Sequence, residues 1–409
     1  MRMTGFCLLL MSFSSCVLHA QDPSGGTKSH MDMPGMSGMT QDKPGMESHS
    51  LADAIMQHTT SGTDVQPNST PTEMLMMQKG SWTLMFHGEA FLNDIQQSGP
   101  RGEDKFFSTN WFMPMAQRKL GRGILTLRTM FSLDPATVSS ERYPELFQQG
   151  ETAYGKPIVD GQHPHDFFME LVAIYDFKFA NNTMFSLYAG PVGDPALGPP
   201  AYPHRASEIF RLEASGFHGR EPDEDRWDID AGKIDSWSGR ATVNPGQNWS
   251  FQYSIGDLAS PETLFPREDI RRMTASLIYN RPIKNGNWTS MLLWGRNKSL
   301  QDGNVGNSYL LESTLHFSNK NNVWARIENV DRTNELLLGR SSLPPDFIER
   351  YFTRVQAYTA GYDRELGHVP HLSTALGAQL TWYAVPTALQ SAYGSHPIGV
   401  VAFLRVRAR

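Results

Sequence analysis

Apolar and polar residues alternate along most of the chain beyond residue 80, with the period of two that is typical of β-strands. The longest such segment begins in the motif Gly161-Gln-His-Pro-His-Asp166. One face of this segment carries His165, Phe167, Met169, Leu171, Ala173, Tyr175 and Phe177. The other face mixes apolar residues with charges of both signs, which a packed soluble core would not accept without partners. Lipid on one side and a wet lumen on the other would accommodate both faces, as in a transmembrane β-barrel.

Similar segments follow one another to the C-terminus, separated by short turns such as Asn285-Gly-Asn287 and Asn319-Lys-Asn-Asn322. About fifteen segments can be counted, whereas bacterial single-chain barrels have an even number of strands. Prolines between residues 194 and 234 interrupt the pattern. A soluble β-propeller is disfavoured because no blade-length repeat is visible. We therefore predict an all-β protein, an antiparallel transmembrane β-barrel of about 14 to 16 strands with a disordered Met/His-rich N-terminal extension.

The N-terminus has the features of an export signal. A basic start at Arg2 is followed by an apolar stretch and by a small-residue cleavage site at Ala20. We predict a signal peptide at 1–20, a disordered extension at 21–80 and the barrel at 81–409. Cys7 and Cys16 both lie in the predicted signal, so a chain cleaved after Ala20 contains no disulfide. The alternative is lipidation of Cys16, which would then become the mature N-terminus.

Composition narrows the function. Beyond the N-terminus the chain has no run of about 20 apolar residues, so spanning helices are not expected. The net charge is −6 and no basic block is present, so nucleic acid is not an expected partner. Outer-membrane lipid is the expected partner, and the sequence does not determine the oligomeric state. No Gly-x-Ser-x-Gly, His-Glu-x-x-His or glycine-rich phosphate loop is present, which favours a non-enzymatic pore or structural barrel. An outer-membrane enzyme acting on lipid or envelope polymer, with serine and histidine on adjacent strands, remains the alternative.

Charged residues recur on the polar faces of the predicted strands. The predicted lumen charges are Arg211, Glu213, Arg240, Arg272, Arg296, Glu312, Arg326, Glu328, Arg354, Arg405 and Arg407. Arginine and glutamate on neighbouring strands can pair and stiffen the wall. Rings of arginine are also used by anion pores, so anion selectivity is the other interpretation.

Two sets of residues are candidates for metal binding. Imidazole with carboxylate at His163, His165 and Asp166 suits a borderline divalent ion, although hydrogen bonds within the loop explain the same residues. In the extension, thioethers with nearby imidazoles favour Cu(I), and a flexible chain can gather several around one ion. The members of this second set are His30, Met31, Met33, Met36, Met39, Met46 and His49. The alternative is a linker whose methionine content has no binding role.

Three motifs carry a resemblance to known proteins: Gly161-Gln-His-Pro-His-Asp166, Gly219-Arg-Glu-Pro-Asp-Glu224 and Phe403-Leu-Arg-Val-Arg407. From about Leu51 onward the chain resembles a family of uncharacterised envelope β-barrels of Gram-negative bacteria. The resemblance implies a location in the bacterial outer membrane, with the N-terminal extension in the periplasm, and implies no activity. The layout of a Met- and His-rich leader before a barrel is also similar to the copper-resistance protein B family. The chain departs from the first family by a shorter stretch between Pro203 and Glu213.

Overall fold

A computed structural model of the chain describes residues 9–15, 74–180, 183–200 and 210–408. The regular structure in these ranges is almost entirely β. The wall strands are β1 (Leu9–Ser15), β3 (Trp82–Gln97), β4 (Lys105–Leu120), β5 (Gly123–Phe131), β8 (Phe168–Ala180), β9 (Thr183–Val192), β10 (Phe210–Phe217), β11 (Ser236–Val243), β12 (Trp249–Leu258), β13 (Ile270–Ile283), β14 (Gly286–Ser299), β15 (Val305–Phe317), β16 (Asn321–Thr333), β17 (Tyr351–Val369), β18 (Leu372–Ala384) and β19 (Ile398–Ala408).

The remaining elements are a short strand, an inward hairpin and short helices. They are β2 (Leu75–Lys79), β6 (Tyr143–Ala153), β7 (Lys156–Gln162), α1 (Asp134–Thr137), α2 (Glu335–Leu338) and α3 (Thr387–Tyr393). Among the described residues, no helix has both the length and the apolar character needed to cross a membrane.

The wall is a closed antiparallel sheet. β10 to β19 pair in sequence order, β19 pairs with β3, and β3, β4, β5, β8 and β9 continue the ring. β1 pairs with both β9 and β10 and completes it, so the described ranges give a ring of sixteen strands. The predicted antiparallel barrel of 14 to 16 strands is therefore confirmed.

The join between β9 and β10 differs from the other joins. β1 lies within the predicted signal peptide and is antiparallel to both neighbours, so β9 and β10 point in the same direction. After β9 the chain turns into the lumen, where Ala196 is fully buried and its N–H donates to Ser215 Oγ at 3.0 Å. The Gly198 N–H donates to Ser254 Oγ on β12 at 2.8 Å. The prolines that interrupt the alternating pattern thus mark the region where the order of strands in the wall departs from their order in the chain.

The outer surface carries a continuous apolar belt. One row of register partners crosses β12 to β19 and consists of Phe251, Leu277, Leu292, Leu311, Ile327, Tyr358, Trp382 and Ile398. These side chains point away from the lumen, and Leu292 is 52% exposed. A water-facing wall would not keep so long an apolar row, whereas a lipid-facing wall requires one.

The two ends of the barrel differ in the length of their connections. Short turns at 284–285, 318–320 and 370–371 lie at one end, and long loops at 218–235, 259–269 and 334–350 lie at the other. Near the short turns, the rings of Trp249 and Tyr279 lie 4.4 Å apart and those of Tyr279 and Trp288 5.8 Å apart. Short periplasmic turns, long outer loops and an interfacial aromatic girdle are the usual pattern of outer-membrane barrels.

Candidate functional site

An inward hairpin, formed by β6 and β7, lies between β5 and β8 in the chain but forms a sheet separate from the wall. Phe147 and Val159 are buried against Leu389 and Tyr393 of α3 and against Tyr383 of the wall. The rings of Phe147 and Tyr393 are stacked, with centroids 4.2 Å apart. The segment 134–163 between β5 and β8 therefore folds into the lumen.

Hydrogen bonds to Asp160 hold the base of this hairpin. Its carboxylate accepts bonds from Arg101 at 3.3 Å, from the Tyr393 hydroxyl at 3.1 Å and from the Phe147 N–H at 2.9 Å. Arg101 also donates to the carbonyl of Leu336 at 2.6 Å. These bonds connect the hairpin to α2, to α3 and to the loop between β3 and β4, so the hairpin has a fixed position in the lumen.

The tip of the hairpin is held from two further sides. Gln149 Nε2 donates to Thr333 Oγ1, at the end of β16, at 2.5 Å. Glu151 pairs with His163 at 2.6 Å and with Arg226 at 3.0 Å. Because Arg226 belongs to the loop between β10 and β11, the tip connects that loop to the end of β16.

A polar cavity of about 420 Å³ lies between this tip and the inner faces of β13 to β17. Its carboxylates come from the hairpin and the long loops, and include Glu151, Glu221, Glu262, Glu268 and Glu349. The wall contributes Arg272, whose Nε donates to Asn297 Oδ1 at 2.9 Å. We call this space the upper cavity, since it lies at the long-loop end. An acidic loop side facing a basic wall is an arrangement that can select between ions.

Three loop carboxylates of the upper cavity, Glu221, Glu262 and Glu349, and the neighbouring Glu335 have raised pKa values. Burial raises the pKa of Glu221 to about 7, with the charge of Glu151 adding to the effect. Burial and the proximity of Glu349 raise the pKa of Glu335, in α2, to about 8. Burial and the charges of Glu221 and Glu335 raise the pKa of Glu262, and burial and the charge of Glu262 raise the pKa of Glu349. These groups therefore exchange protons near neutral pH, where ordinary glutamates are fully ionised.

The cavity is expected to become more cation-selective as the pH rises. Between pH 6 and 9 the carboxylates lose their protons, so the ratio of K⁺ to Cl⁻ permeability of the reconstituted protein should increase. The folded protein holds protons that the unfolded chain has already lost above pH 4.5, so the stability contribution of these groups should fall as pH rises from 4.5 to about 8. Reversal potentials in planar bilayers measure the first effect.

The matched control is the Glu262→Gln/Glu349→Gln variant, which removes two of the titrating groups and keeps their size. It should show a flatter dependence of the permeability ratio on pH. A wild-type ratio that stays constant over this range, or an unchanged dependence in the variant, would contradict the assignment.

Most predicted lumen charges are paired. Arg240 forms two bonds with Glu213, at 2.5 and 2.8 Å, and Arg211 lies 3.2 Å from the same carboxylate. The further pairs are Arg326 with Glu328 at 2.9 Å, Arg405 with Glu365 at 2.9 Å, and Arg407 with Glu89 at 2.8 Å, with Glu312 in register with Arg326. The geometry therefore favours the structural interpretation of these charges over a ring of free arginines.

One of the predicted lumen arginines, Arg354, belongs to the other face, which corrects its assignment. Arg354 points outward beside Tyr309, with its guanidinium 5.6 Å from the ring centroid and 2.6 Å from Asp331. Arg296 borders the upper cavity, and its register partner on β13 is Met273. Both residues lie toward the long-loop end, beyond the apolar belt.

The predicted metal ligands of the loop do not converge on one point. His163 bonds Glu151, His165 Nδ1 lies 2.7 Å from Asp134 Oδ2, and Asp166 pairs with Arg226 at 3.1 Å. Each side chain thus has its own partner, as the loop-packing interpretation expects. None of the described hydrogen bonds of His163 or His165 goes to a serine hydroxyl. The leader set, His30, Met31, Met33, Met36, Met39, Met46 and His49, lies outside the described residues.

Sequence reasoning missed most residues of the upper cavity. Glu262 and Glu349 lie in connections between strands, where no periodicity marks them. The available signal was a group of bulky apolar residues, Leu146, Phe147 and Val159, in the long connection between two wall strands. A buried apolar group in a long barrel connection indicates a segment that packs inside the wall.

Comparison with known proteins gives structural similarities only. No protein-family model matches the chain, and no curated protein matches its sequence. An anion-selective porin from Comamonas acidovorans is 11% identical with a TM-score of 0.44, over 80% of this chain and 99% of that one. The outer membrane channel DcaP of Acinetobacter baumannii is 10% identical with a TM-score of 0.44, over 80% and 98%. Salmonella typhi OmpF is 6% identical with a TM-score of 0.42, over 81% and 100%. The barrel assignment rests on this chain's own strand pairing.

Proposed function

We propose that the protein is a non-enzymatic channel of the bacterial outer membrane that conducts small polar solutes and ions. The observation that carries the proposal is a second polar cavity, of about 390 Å³, deeper in the lumen. We call it the lower cavity. Glu89, Arg405 and Arg407 line it, together with Trp324 of β16. The outward apolar belt and the aromatic girdle support the membrane location.

The inner face of β16 joins the two cavities. Val330 and Arg332 border the upper cavity and Trp324 borders the lower one. Between them, on the same inward face, stand Arg326 and Glu328. A solute entering among the long loops thus meets a continuous row of polar and charged side chains leading toward the short-turn end.

Trp324 forms the narrow point of this route. Its ring lies 6.1 Å from that of Phe403, and Phe403 lies 5.7 Å from Phe91. A Cβ atom at Gly361 would come within 2.2 Å of the Trp324 indole, so the absence of a side chain there seats the ring against β17. The aromatic group therefore narrows the lumen beside the lower cavity.

Removing this aromatic group is expected to widen the route. The Trp324→Ala variant should show a higher single-channel conductance than the wild type in planar bilayers, because the indole no longer occupies the lumen. The matched control is Trp382→Ala, on the outward face of β18, which should leave conductance unchanged. Equal conductance for wild type and Trp324→Ala, or no conductance in either, would reject the proposed route.

The leader supplies a second proposal, in which the methionine-rich segment before the barrel binds Cu(I) on the periplasmic side. Met31, Met33, Met36 and Met39 lie two or three residues apart in a glycine- and proline-containing stretch. Thioethers favour soft monovalent ions over hard cations. His30 and His49 can add imidazole ligands, whose affinity falls below about pH 6.5 as they are protonated. The layout shared with copper-resistance protein B supports this proposal.

A peptide of residues 21–60 is expected to bind Cu(I) more tightly than Zn(II). Replacing the four methionines by leucine should abolish this preference, because leucine keeps the apolar volume and removes the sulfur. Competition with a chromogenic Cu(I) chelator measures both affinities. A leucine peptide that competes as well as the parent would show that the tract is only a tether.

A further inference from the structure

A cluster of methionines lies inside the barrel, at the part of the wall formed by β3, β4 and β5. Met85, Met113, Met115 and Met130 are buried in contact with one another, and Met113 is 0% exposed. Met74, Met169 and Trp111 pack against them. We call these residues the lumenal methionine cluster.

Ordinary core packing does not account for this composition. Methionine fills irregular gaps in many cores, so a single buried methionine needs no explanation. Three other buried clusters among the described residues are built from leucine, isoleucine, valine, alanine, phenylalanine and tyrosine, with no methionine. Eight methionines follow residue 80, and five of them belong to this cluster or pack against it. Sulfur is therefore concentrated in one part of the lumen.

Strand register explains how distant parts of the sequence bring these sulfurs together. Met85 of β3 is the partner of Met115 on β4, and His87 is the partner of Met113. Both pairs lie on the inward face, and His87 is buried. Cross-strand partners have Cβ atoms about 5 Å apart, and the long thioether side chains reach across that distance. A flexible side chain with a polarizable sulfur can then reorient toward a shared ligand.

The cluster is approached from the short-turn end. Met76 of β2 is the register partner of Met85, and both Met76 and Met77 are exposed. A cavity of about 770 Å³ is bordered by Met76, Met85 and Met115, together with His371. Met77 also borders it but pairs with Leu84 on the outward face of the wall. The exposed thioether of Met76 thus lies beside the buried ones.

The nearest charges do not oppose a monovalent cation. Arg128 is the register partner of Met115, but its guanidinium forms two bonds with Glu170, at 3.0 and 2.8 Å. The two charges neutralise each other. Thioethers offer little to hard cations such as Ca²⁺ or Mg²⁺, which require oxygen ligands, and they suit soft ions.

We propose that the lumenal methionine cluster is a binding site for a soft monovalent cation, Cu(I), with Met85, Met113 and Met115 as its main ligands and Met76 on the approach. This site is separate from the leader site, and it does not depend on the channel proposal. The lumenal methionine cluster is thus a selective binding site for a soft ion within the barrel itself.

The test uses full-length protein in detergent and Ag(I) as a redox-inert probe of the same softness. The starting protein carries leucine in place of Met31, Met33, Met36 and Met39, so that leader binding is removed. It should still bind Ag(I), and adding Met113→Leu/Met115→Leu should weaken that binding at least tenfold. Methionine-to-leucine changes conserve volume, and heat-dependent electrophoretic migration checks that each variant keeps its barrel. The matched control is Met273→Leu/Met291→Leu, away from the cluster, which should bind as the starting protein does.

One further measurement and two single-substitution variants complete the test. X-ray absorption at the silver edge should show sulfur neighbours in the starting protein and lose them in the double variant. Single Met113→Leu and Met115→Leu variants replace the double one if it fails to fold. No Ag(I) binding by the starting protein would overturn the proposal and leave the leader as the binding segment. Unchanged binding in folded cluster variants would also overturn it.

Discussion

Replacing Arg128 by leucine is expected to lower the free energy of unfolding by about 3–5 kcal/mol, the usual cost of removing one partner from a buried ion pair. Arg128 and Glu170 are 5% and 1% exposed and share two hydrogen bonds. The Tyr188 hydroxyl donates a further bond to Glu170 at 2.6 Å. Without the guanidinium, the carboxylate in the wall between β5 and β8 loses its charged partner. Urea unfolding of the protein in liposomes measures the loss.

Two variants separate an uncompensated buried charge from simple loss of packing. Arg128→Leu/Glu170→Leu removes both charges and should recover much of the lost stability, because an apolar pair of similar size often replaces a buried ion pair without cost. Arg354→Gln breaks a pair on the exposed outer surface and should change stability by no more than about 1 kcal/mol. A double variant no more stable than the single one would show that packing alone is responsible.

The Leu292→Arg variant is expected to lose about 2–4 kcal/mol of stability in a bilayer, the cost of a cationic side chain against lipid near the membrane centre. Leu292 lies in the middle of the apolar belt, between Leu277 and Leu311. Its side chain is more than half exposed, so the substitution causes no clash in a core. The cost comes from lipid alone.

The control for this variant is Thr274→Arg on the inward face of β13. Thr274 lines the upper cavity, where a guanidinium remains hydrated. It should fold as well as the wild type and reduce conductance by narrowing the cavity. Equal loss of stability for both variants would show that the assignment of the two faces is incorrect.

The alternation of apolar and polar residues predicted the wall strands well because each face of the wall has one kind of surrounding, lipid outside and a polar lumen inside. The apolar face read on β8, with Leu171, Tyr175 and Phe177, is the outward face, and Glu170 and Asp176 are buried inside. A period of two is enough where every second residue meets lipid. Arg354 was misplaced because charge was taken as a sign of the lumen, although the same period puts it outward, opposite the buried Val355 and Ala357.

The inward hairpin could not be predicted in the same way. Phe147, Glu151 and Asp160 have positive φ angles, and its ladder contains two register shifts, so no period of two survives in the sequence. The upper cavity was missed for a different reason. Glu221, Glu262 and Glu349 are ordinary glutamates in their own loops, and their burial arises only when three loops and the hairpin tip meet.

The parallel directions of β9 and β10 have a consequence for maturation. In a barrel built only from hairpins, each strand runs antiparallel to the strand before it. Two consecutive strands that run in the same direction, as β9 and β10 do, cannot form such a hairpin. If the export signal is removed, Leu9–Ser15 leaves with it, and the strands at Thr183–Tyr188 and Leu212–Gly216 become two free edges. Any segment that closes the gap between β9 and β10 must run antiparallel to both strands. If the export signal is cleaved as predicted, its removal and the closure of the barrel are linked steps, and the precursor and the processed chain then differ in the topology of the wall.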